Sequence, residues 1–312
     1  MRILVSGGAG FIGSHIAEGA RAAGHTVAVL DNLSSGKRQN VPEGVMLFEV
    51  DLRQREQVRQ IVGDFKPDVV SHQAAQASVA VSVREPHFDA EVNVIGGLNL
   101  LDACVAARVK HVVFASTGGA IYGEVPEGQR AGEATRPAPI SPYAISKLAF
   151  EQLLDVYRIH HGLDSTVLRY ANVYGPRQDP HGEAGVIAIF FDTAMRGGTL
   201  RINARSQDGD AGCVRDYVYV SDVARANLAA LAGKLPERVL NVGTGAAITT
   251  LELATQIARV AGRELKTVFG PPRAGDIERS VLDPARFEQL LGSSVPLTEG
   301  LAHTFEWYRS LT

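Results

Sequence analysis

Tyr143 and Lys147 stand four residues apart in the run Ser141-Pro142-Tyr143-Ala144-Ile145-Ser146-Lys147. Proline suits the first turn of a helix, and on a helix residues i and i+4 share a face, so both side chains reach one site. A phenol with its usual pKa of about 10 is a poor base near neutrality, but a neighbouring ammonium favours the phenolate. The pair therefore points to proton abstraction, with Tyr143 as base and Lys147 tuning it. A second group of candidates follows an apolar run: Val112-Val113-Phe114-Ala115 leads into Ser116-Thr117-Gly118-Gly119. In an open α/β sheet, ligands lie beyond the carboxyl ends of strands, where these hydroxyls fall.

Glycine recurs at Gly7, Gly10 and Gly13, directly after a short apolar run and before a helical stretch that opens on Phe11 and Ile12. One glycine turns the chain, one lets the backbone approach a pyrophosphate and one allows close helix–strand packing. The helix N-terminus adds N–H donors and a partial positive charge. Asp31 ends the second apolar run, where an acidic residue meets adenosine ribose hydroxyls. Its charge repels a 2′-phosphate and favours NAD over NADP, with Lys37 and Arg38 pulling the other way. Asp51, followed by Leu52, ends the third run and is placed for the adenine amino group.

These residues need a scaffold, and the apolar runs supply it. Ile3-Leu4-Val5, Val27-Ala28-Val29-Leu30, Val45-Met46-Leu47-Phe48, Val69-Val70 and Val112-Val113-Phe114 are short, continuous and rich in branched side chains, as strands buried on both faces are. Helical stretches over 13–23, 53–65 and 86–108 alternate with them. This order predicts an α/β fold of Rossmann type, a doubly wound parallel sheet, extended by Val167-Leu168-Arg169 and Val239-Leu240-Asn241. After about residue 175 the chain turns polar and turn-rich, and Pro271-Pro272-Arg273 punctuates it again. We expect a nucleotide-binding domain over 1–174 plus about 216–249, and a smaller discontinuous α/β domain over about 175–215 plus 250–312. The stretches 251–261 and 284–291 read as amphipathic packing helices.

Of the 312 residues, 45% are apolar and 21% charged, which excludes a disordered or fibrous chain. Thirty-one basic residues against 34 acidic ones leave a net charge of −3, so binding to nucleic acid or an anionic membrane is not expected. Two cysteines, Cys104 and Cys213, make neither a disulfide framework nor a zinc cluster and fit a reducing compartment. No apolar run approaches the ~20 residues that span a bilayer. The first residues run into glycines too early for a signal peptide. A cytoplasmic location follows. The loop over 205–213, with Asp208 and Asp210, lacks the EF-hand spacing, and no metal is expected.

Together these residues resemble the extended short-chain dehydrogenase/reductases, and within them the UDP-glucose 4-epimerase family. The likeness rests on the glycine turn, Asp31-Asn32-Leu33-Ser34-Ser35-Gly36, Asp51-Leu52, His72-Gln73-Ala74-Ala75 with Gln76 next to it, Asn93, and Tyr143 with Lys147. It continues through Leu168-Arg169-Tyr170-Ala171-Asn172-Val173-Tyr174-Gly175, Arg215-Asp216-Tyr217-Val218, Asn241-Val242-Gly243-Thr244-Gly245 and Arg273-Ala274-Gly275-Asp276. It implies bound NAD, held by the glycine turn, Asp31, Asn32, Ser34, Ser35, Gly36, Asp51, Leu52, Gln73, Ala74, Ala75, Gln76, Asn93, Tyr143, Lys147 and Ala171. Tyr143 would take the proton of the sugar 4-hydroxyl as the C4 hydride leaves. The 4-keto sugar would then turn over in the pocket and regain hydride on its other face.

A Ser or Thr hydroxyl completes the family's proton relay. Counting forward from Phe114 places it on Thr117, whereas counting back four from Tyr122 gives Gly118, which has no hydroxyl. Thr117 is the expected relay, with Ser116 the alternative. On the substrate side the resemblance assigns Asn172, Arg215 and Arg273 to the UDP diphosphate and Asp276 to ribose hydroxyls. It sets Val186, Ile187, Arg201 and Asn203 around the uridine; a plain Arg215–Asp216 ion pair is the structural alternative. Ser280 falls where the family gates the sugar C2 group, and a side chain that small leaves room for UDP-N-acetylhexosamines. Related dehydratases carry Asp-Glu after the catalytic Thr, but here Gly118-Gly119 follows, which counts against a 4,6-dehydratase; a decarboxylase or glucuronate epimerase stays open, as does a cofactor-binding protein without catalysis. The family also implies a homodimer through helices over 87–108 and 146–161.

Overall fold

A computed structural model describes residues 1–182, 185–273 and 276–311. The apolar runs become strands β1 (Arg2–Ser6), β2 (Thr26–Asp31), β3 (Met46–Glu49), β4 (Val69–His72) and β5 (His111–Thr117). With β6 (Asp164–Tyr170) and the strand Val239–Val242 they make a seven-stranded sheet, in the order Val239–Val242, β6, β5, β4, β1, β2, β3. The pairs from β3 through β2, β1 and β4 to β5 are all parallel. The chain winds outward from β1 to β3 and returns on the other side of β1 with β4. The segments following β1 and β4 therefore diverge at the switch point, where such sheets bind ligands. Ile3, Leu4, Val5, Val29, Val70, Val112 and Val113 are fully buried, as strands covered on both faces require.

Helix α1 (Phe11–Ala22) fills the crossover from β1 to β2 and α2 (Arg55–Phe65) the crossover from β3 to β4. Leu4, Leu30, Val58, Val62, Leu100, Phe114 and Phe150 share one core. The helical stretch expected over 86–108 is not uniform. Pro86–Ala90 and Gly97–Ala106 are α-helical, and between them Glu91–Gly96 widens into a π-turn that carries Asn93.

The chain divides into two compact units. Met1–Thr117, Ser141–Arg169 and Val223–Leu240 form the first; Gly118–Ile140, Tyr170–Asp222 and Asn241–Thr312 form the second. The expected boundaries differ, since they gave 118–140, 170–174, 216–222 and 241–249 to the nucleotide-binding domain. Backbone bonds explain the difference: Val125 N donates to Arg279 O, and Ala131 N to Val281 O. Asp216, 1% exposed, accepts from Thr244 N and Oγ1, Gly245 N and Leu282 N. Burial pushes its carboxyl up while these donors pull it down.

The second unit is built from short strands: Asn172–Tyr174 beside Tyr217–Tyr219, Leu200–Asn203 beside Thr267–Gly270, and Val214–Arg215 between Ile248–Thr249 and Arg279–Ser280. Its helix Thr250–Ala261 starts on a capping box of Thr249 and Glu252. Among the described residues no helix is long and apolar enough to cross a membrane.

Candidate active site

In the first unit, the turn after β1 presses on the segment after β4. Gly7 has φ +71, and a Cβ there would sit 2.5 Å from Ala74 N. A Cβ on Gly13 would lie 2.2 Å from Gly7 O, so α1 packs directly on the turn. A Cβ on Gly10 would meet only Gly7 O within 4 Å, at 3.2 Å. Gly10 caps α1 without a side-chain hydrogen bond, and the first turn, with Phe11 and Ile12, holds no acidic residue. Such a helix N-terminus seats an anion.

Asp31, 6% exposed, accepts from Ala9 N (2.9 Å) and Leu33 N (2.8 Å). Burial pushes its carboxyl up, against the pull of the Leu33, Ala9 and Gly10 amides. Ser34 donates through N and Oγ to Asn32 Oδ1, Ser35 is exposed, and Gly36 rests on Asp31 and Ala9. Arg38 is paired with Glu49 at 2.5 Å, so one of the two basic residues near Asp31 already has its own carboxylate. Asp51 accepts from Asn32 Nδ2 and from Arg53, whose guanidinium holds the carboxyl far below its usual range; Leu52 is in the core.

Gln73 N and Ala74 N both donate to Ser6 O, laying Gln73-Ala74-Ala75-Gln76 across the end of β1. Asn93 holds that segment from the π-turn. It accepts from Gln76 N (2.9 Å), and its Nδ2 reaches Gln76 O (2.9 Å) and Ser146 Oγ (3.2 Å).

The helix Pro142–His161 begins as its sequence requires, with Ser141 accepting from Ala144 N and Pro142 in the first turn. Tyr143 is half-buried and Lys147 is 3% exposed. Lys147 Nζ donates to Ala115 O at 2.9 Å, 4.8 Å from the Phe114 ring centroid and 5.8 Å from that of Tyr143. His72 packs on Phe114 and Phe150 and is hydrogen-bonded to Ser6 Oγ. Burial, aided by the Lys147 charge, lowers His72 to about 3, so it is neutral.

Thr117 ends β5, largely buried. Ser116 is engaged elsewhere: its Oγ donates to Glu151 Oε1 at 2.5 Å, and Glu151 is paired with Arg169. Neither Glu151 nor Arg169 was among the expected site residues, although both left a trace in the sequence. Tyr143, Lys147 and Glu151 continue one i+4 row, and Arg169 is a charge inside an apolar strand run.

In the second unit, Ala171 N donates to Val242 O, and Asn172 Nδ2 to Asp216 O at 3.1 Å. Gly118–Ile121 is one short helix, and a Cβ on Gly119 would approach Asn172 Nδ2 at 3.6 Å. Arg215 and Ser280 stand opposite each other in parallel register, and Ser280 is buried. Arg215 Nη1 donates to Val214 O and Glu278 O, while the Asp216 carboxylate takes backbone amides, so the simple Arg215–Asp216 ion pair does not describe them.

Val186 and Ile187 open the helix Val186–Met195, Ile187 within the core. Arg201 Nε donates to Asn203 Oδ1 at 3.0 Å. Arg273 and Asp276 are exposed, and Asp276 N donates to Arg273 O; Ala274 and Gly275 lie outside the described residues. Asp210 accepts from the amides of Arg205, Ser206, Gln207 and Gly212, which makes it a loop organiser. Among the described residues no group of three or more His, Cys, Asp and Glu could hold a metal ion.

Known proteins resemble this chain over its full length. A UDP-glucose 4-epimerase of Mycolicibacterium smegmatis is 44% identical over 317 residues, 99% of each chain. Among solved structures, the Thermus thermophilus UDP-glucose 4-epimerase in complex with NAD matches with a TM-score of 0.96 and 55% identity over 100% of both chains. The Thermotoga maritima UDP-glucose 4-epimerase with UDP-glucose matches with a TM-score of 0.94 and 46% identity, over 100% of this chain and 99% of that one. Residues 3–243, which carry the glycine turn, Asp31, Tyr143 and Lys147, match the NAD dependent epimerase/dehydratase family, and the chain belongs to it.

Proposed function

We propose that the chain interconverts UDP-glucose and UDP-galactose by inverting the sugar at C4, and that it also accepts UDP-N-acetylhexosamines. The observation that carries this reading is the Tyr143/Lys147 pair on one helix face at the end of β5, with Lys147 fixed on Ala115 O. The N-terminus of α1, with no side-chain cap and no acidic residue in its first turn, and the buried Asp31 carboxylate fit a dinucleotide, with the glycine turn taking the pyrophosphate and Asp31 the ribose. NAD, when bound there, supplies reversible hydride transfer at the sugar C4.

Tyr143 takes the 4-hydroxyl proton and returns it, and Lys147 favours its phenolate. Thr117 passes the proton, since the Ser116 hydroxyl is given to Glu151. In the second unit, Asn172, Arg215, Arg273 and Asp276 are assigned to the UDP moiety. A forked guanidinium suits a diphosphate.

The small side chain of Ser280 supports acceptance of an N-acetyl group. Gly118-Gly119 after Thr117 places no acid/base pair there for dehydration. Exposed Phe88, Ile95, Ile145, Val156 and Ile159, on the helices over 86–106 and 142–161, support a homodimer.

The test is to incubate the purified protein with UDP-galactose, without added NAD, and follow the sugar anomeric signals by NMR. UDP-glucose should appear, and UDP-N-acetylglucosamine should turn over as well. No conversion of UDP-galactose, even with NAD added, refutes the epimerase reading. Turnover of UDP-galactose but not of the N-acetyl sugar refutes the breadth alone.

A further inference from the structure

Glu151 is the third residue in the row begun by Tyr143 and Lys147, on the same helix face. It is 5% exposed, and Arg169 on β6 is 6% exposed. The guanidinium grips the carboxylate in a fork, Nε to Oε1 at 3.0 Å and Nη2 to Oε2 at 2.5 Å. Ser116 Oγ donates to the same Oε1 at 2.5 Å. A buried ion pair is costly to desolvate, and apolar residues of equal volume often hold a core as well or better. A charged pair at this place calls for a role besides stability.

Its neighbours supply that role. Lys147 bonds to the carbonyl of Ala115, and Ala115, Ser116 and Thr117 follow one another at the end of β5. By holding Ser116, Glu151 clamps this strand end, with the Lys147 acceptor and the Thr117 hydroxyl on it, to the helix that carries Tyr143 and Lys147. Electrostatics act in the same direction. A lysine followed by glutamate four residues later is spaced for an ion pair within the helix. Arg169 occupies the Glu151 carboxylate instead, and the ammonium stays on Ala115 O, near the Phe114 and Tyr143 rings. The titratable and charged groups near Lys147 include Tyr143 from its own helix and neutral His72 from β4, with Glu151 one helical turn on and gripped by Arg169 from β6.

We propose that Glu151 and Arg169 are a positioning pair: through Ser116 they lock the end of β5 onto the catalytic helix and keep Lys147 directed at Tyr143. This rests on the reading of Tyr143 and Lys147 given above and deepens it. Neither member is assigned any contact with sugar or nucleotide.

Three variants test the pair: Ser116→Ala, Arg169→Met and the double variant Glu151→Leu/Arg169→Met. The first readout needs no turnover. It is the ultraviolet difference titration of the Tyr143 phenolate, each variant measured against the same variant carrying Tyr143→Phe. The second is thermal unfolding, and the third is kcat and KM for UDP-galactose.

Ser116→Ala should fold, raise the phenolate midpoint by about one pH unit, a tenfold loss of phenolate at fixed pH, and lower kcat about tenfold with KM held. Arg169→Met leaves a buried carboxylate beside Lys147 and should be the least stable of the three. The double variant should regain thermal stability but not the phenolate midpoint. A double variant with both stability and midpoint of the wild type overturns the proposal, because the pair would then only pack. Loss of kcat in Ser116→Ala with an unmoved midpoint overturns it too, and makes Ser116 the relay itself. If Tyr143→Phe in the wild-type background keeps full activity, the reading of the site falls together with the proposal. If Tyr143→Phe is inactive while the other variants match wild type, the positioning proposal alone falls.

Discussion

Two glycines in the turn after β1 should fail in different ways when given a methyl group. At Gly13 the added Cβ would lie 2.2 Å from Gly7 O and 2.8 Å from both Gly7 C and Gly8 Cα, all backbone atoms that cannot rotate away. To reach ordinary contact at 3.4 Å, the helix α1 must retreat by about 1.2 Å. Overpacking of that kind costs about 1–3 kcal/mol, which for a chain of this size lowers Tm by roughly 2–10 °C. At Gly10 the backbone is extended, φ −77 and ψ −178, and the nearest atom to a Cβ is Gly7 O at 3.2 Å. Gly10→Ala should therefore melt within about 2 °C of wild type in the absence of nucleotide.

Its methyl group, however, stands where, on the function proposed above, a pyrophosphate would meet the amides of α1. Losing one charge-assisted hydrogen bond there costs about 1.5–3 kcal/mol, or roughly 10- to 150-fold in affinity. Nucleotide-stripped protein, titrated with NAD by calorimetry and melted with and without NAD, separates the two effects. Wild type should gain about 2.7 kcal/mol at NAD one hundredfold above Kd, and at the same NAD concentration Gly10→Ala should keep only about 0.3–1.4 kcal/mol of it. If Gly10→Ala binds NAD within twofold of wild type, the pyrophosphate does not lie at this turn. If Gly13→Ala melts with wild type, the close packing of α1 on the turn is not what fixes it.

Two further measurements follow from buried groups. His72 is lowered to about 3, while in the unfolded chain it titrates near 6.5, so the unfolded state binds the proton first. Its contribution to stability is full above about pH 6.5 and falls toward pH 3, by up to about 1.4 kcal/mol per pH unit; urea melts should show a shallower acid limb for His72→Gln, and identical slopes would refute this. Cys104 is fully buried, its thiol pushed up to about 12, whereas Cys213 is half-buried. Iodoacetamide with peptide mapping should therefore label Cys213 well before Cys104 in the native protein, and equal labelling would show that the core around Cys104 opens.

The sheet was legible because strands buried on both faces need continuous branched residues, and Ile3 to Val5 or Val112 to Phe114 could serve little else. The tight turn ahead of α1 was legible from its three glycines. The Tyr143/Lys147 helix was legible from local chemistry alone: a serine cap, a proline and a four-residue spacing. Non-local features were harder to read. The strands Val214–Arg215 and Arg279–Ser280 are two residues each, too short for any periodicity, and Gly118–Ile140 joins the second unit through bonds to Arg279 and Val281. The π-turn around Asn93 has helical residues on either side, and nothing in its composition marks the widening. Glu151 and Arg169 each look ordinary until β6 and the helix Pro142–His161 bring them together.

Arg279 donates through Nη1 to the carbonyls of Val125, Pro126 and Gln129, and its bond to Gln129 spans 150 residues of sequence. On the ribosome, at ~5–20 residues per second, the segment around Gln129 is made roughly 8–30 s before the arginine that anchors it. The sheet has its own delay, since β6 lacks its outer neighbour until Val239–Val242 emerges. Neither unit can close on a nascent chain in the order in which it is written. A stalled or truncated product ending before Val239 therefore exposes both an unpaired strand edge and an unanchored loop, and one ending between Val242 and Arg279 still leaves the loop unanchored; either is a substrate for chaperones or proteases and not a smaller working protein.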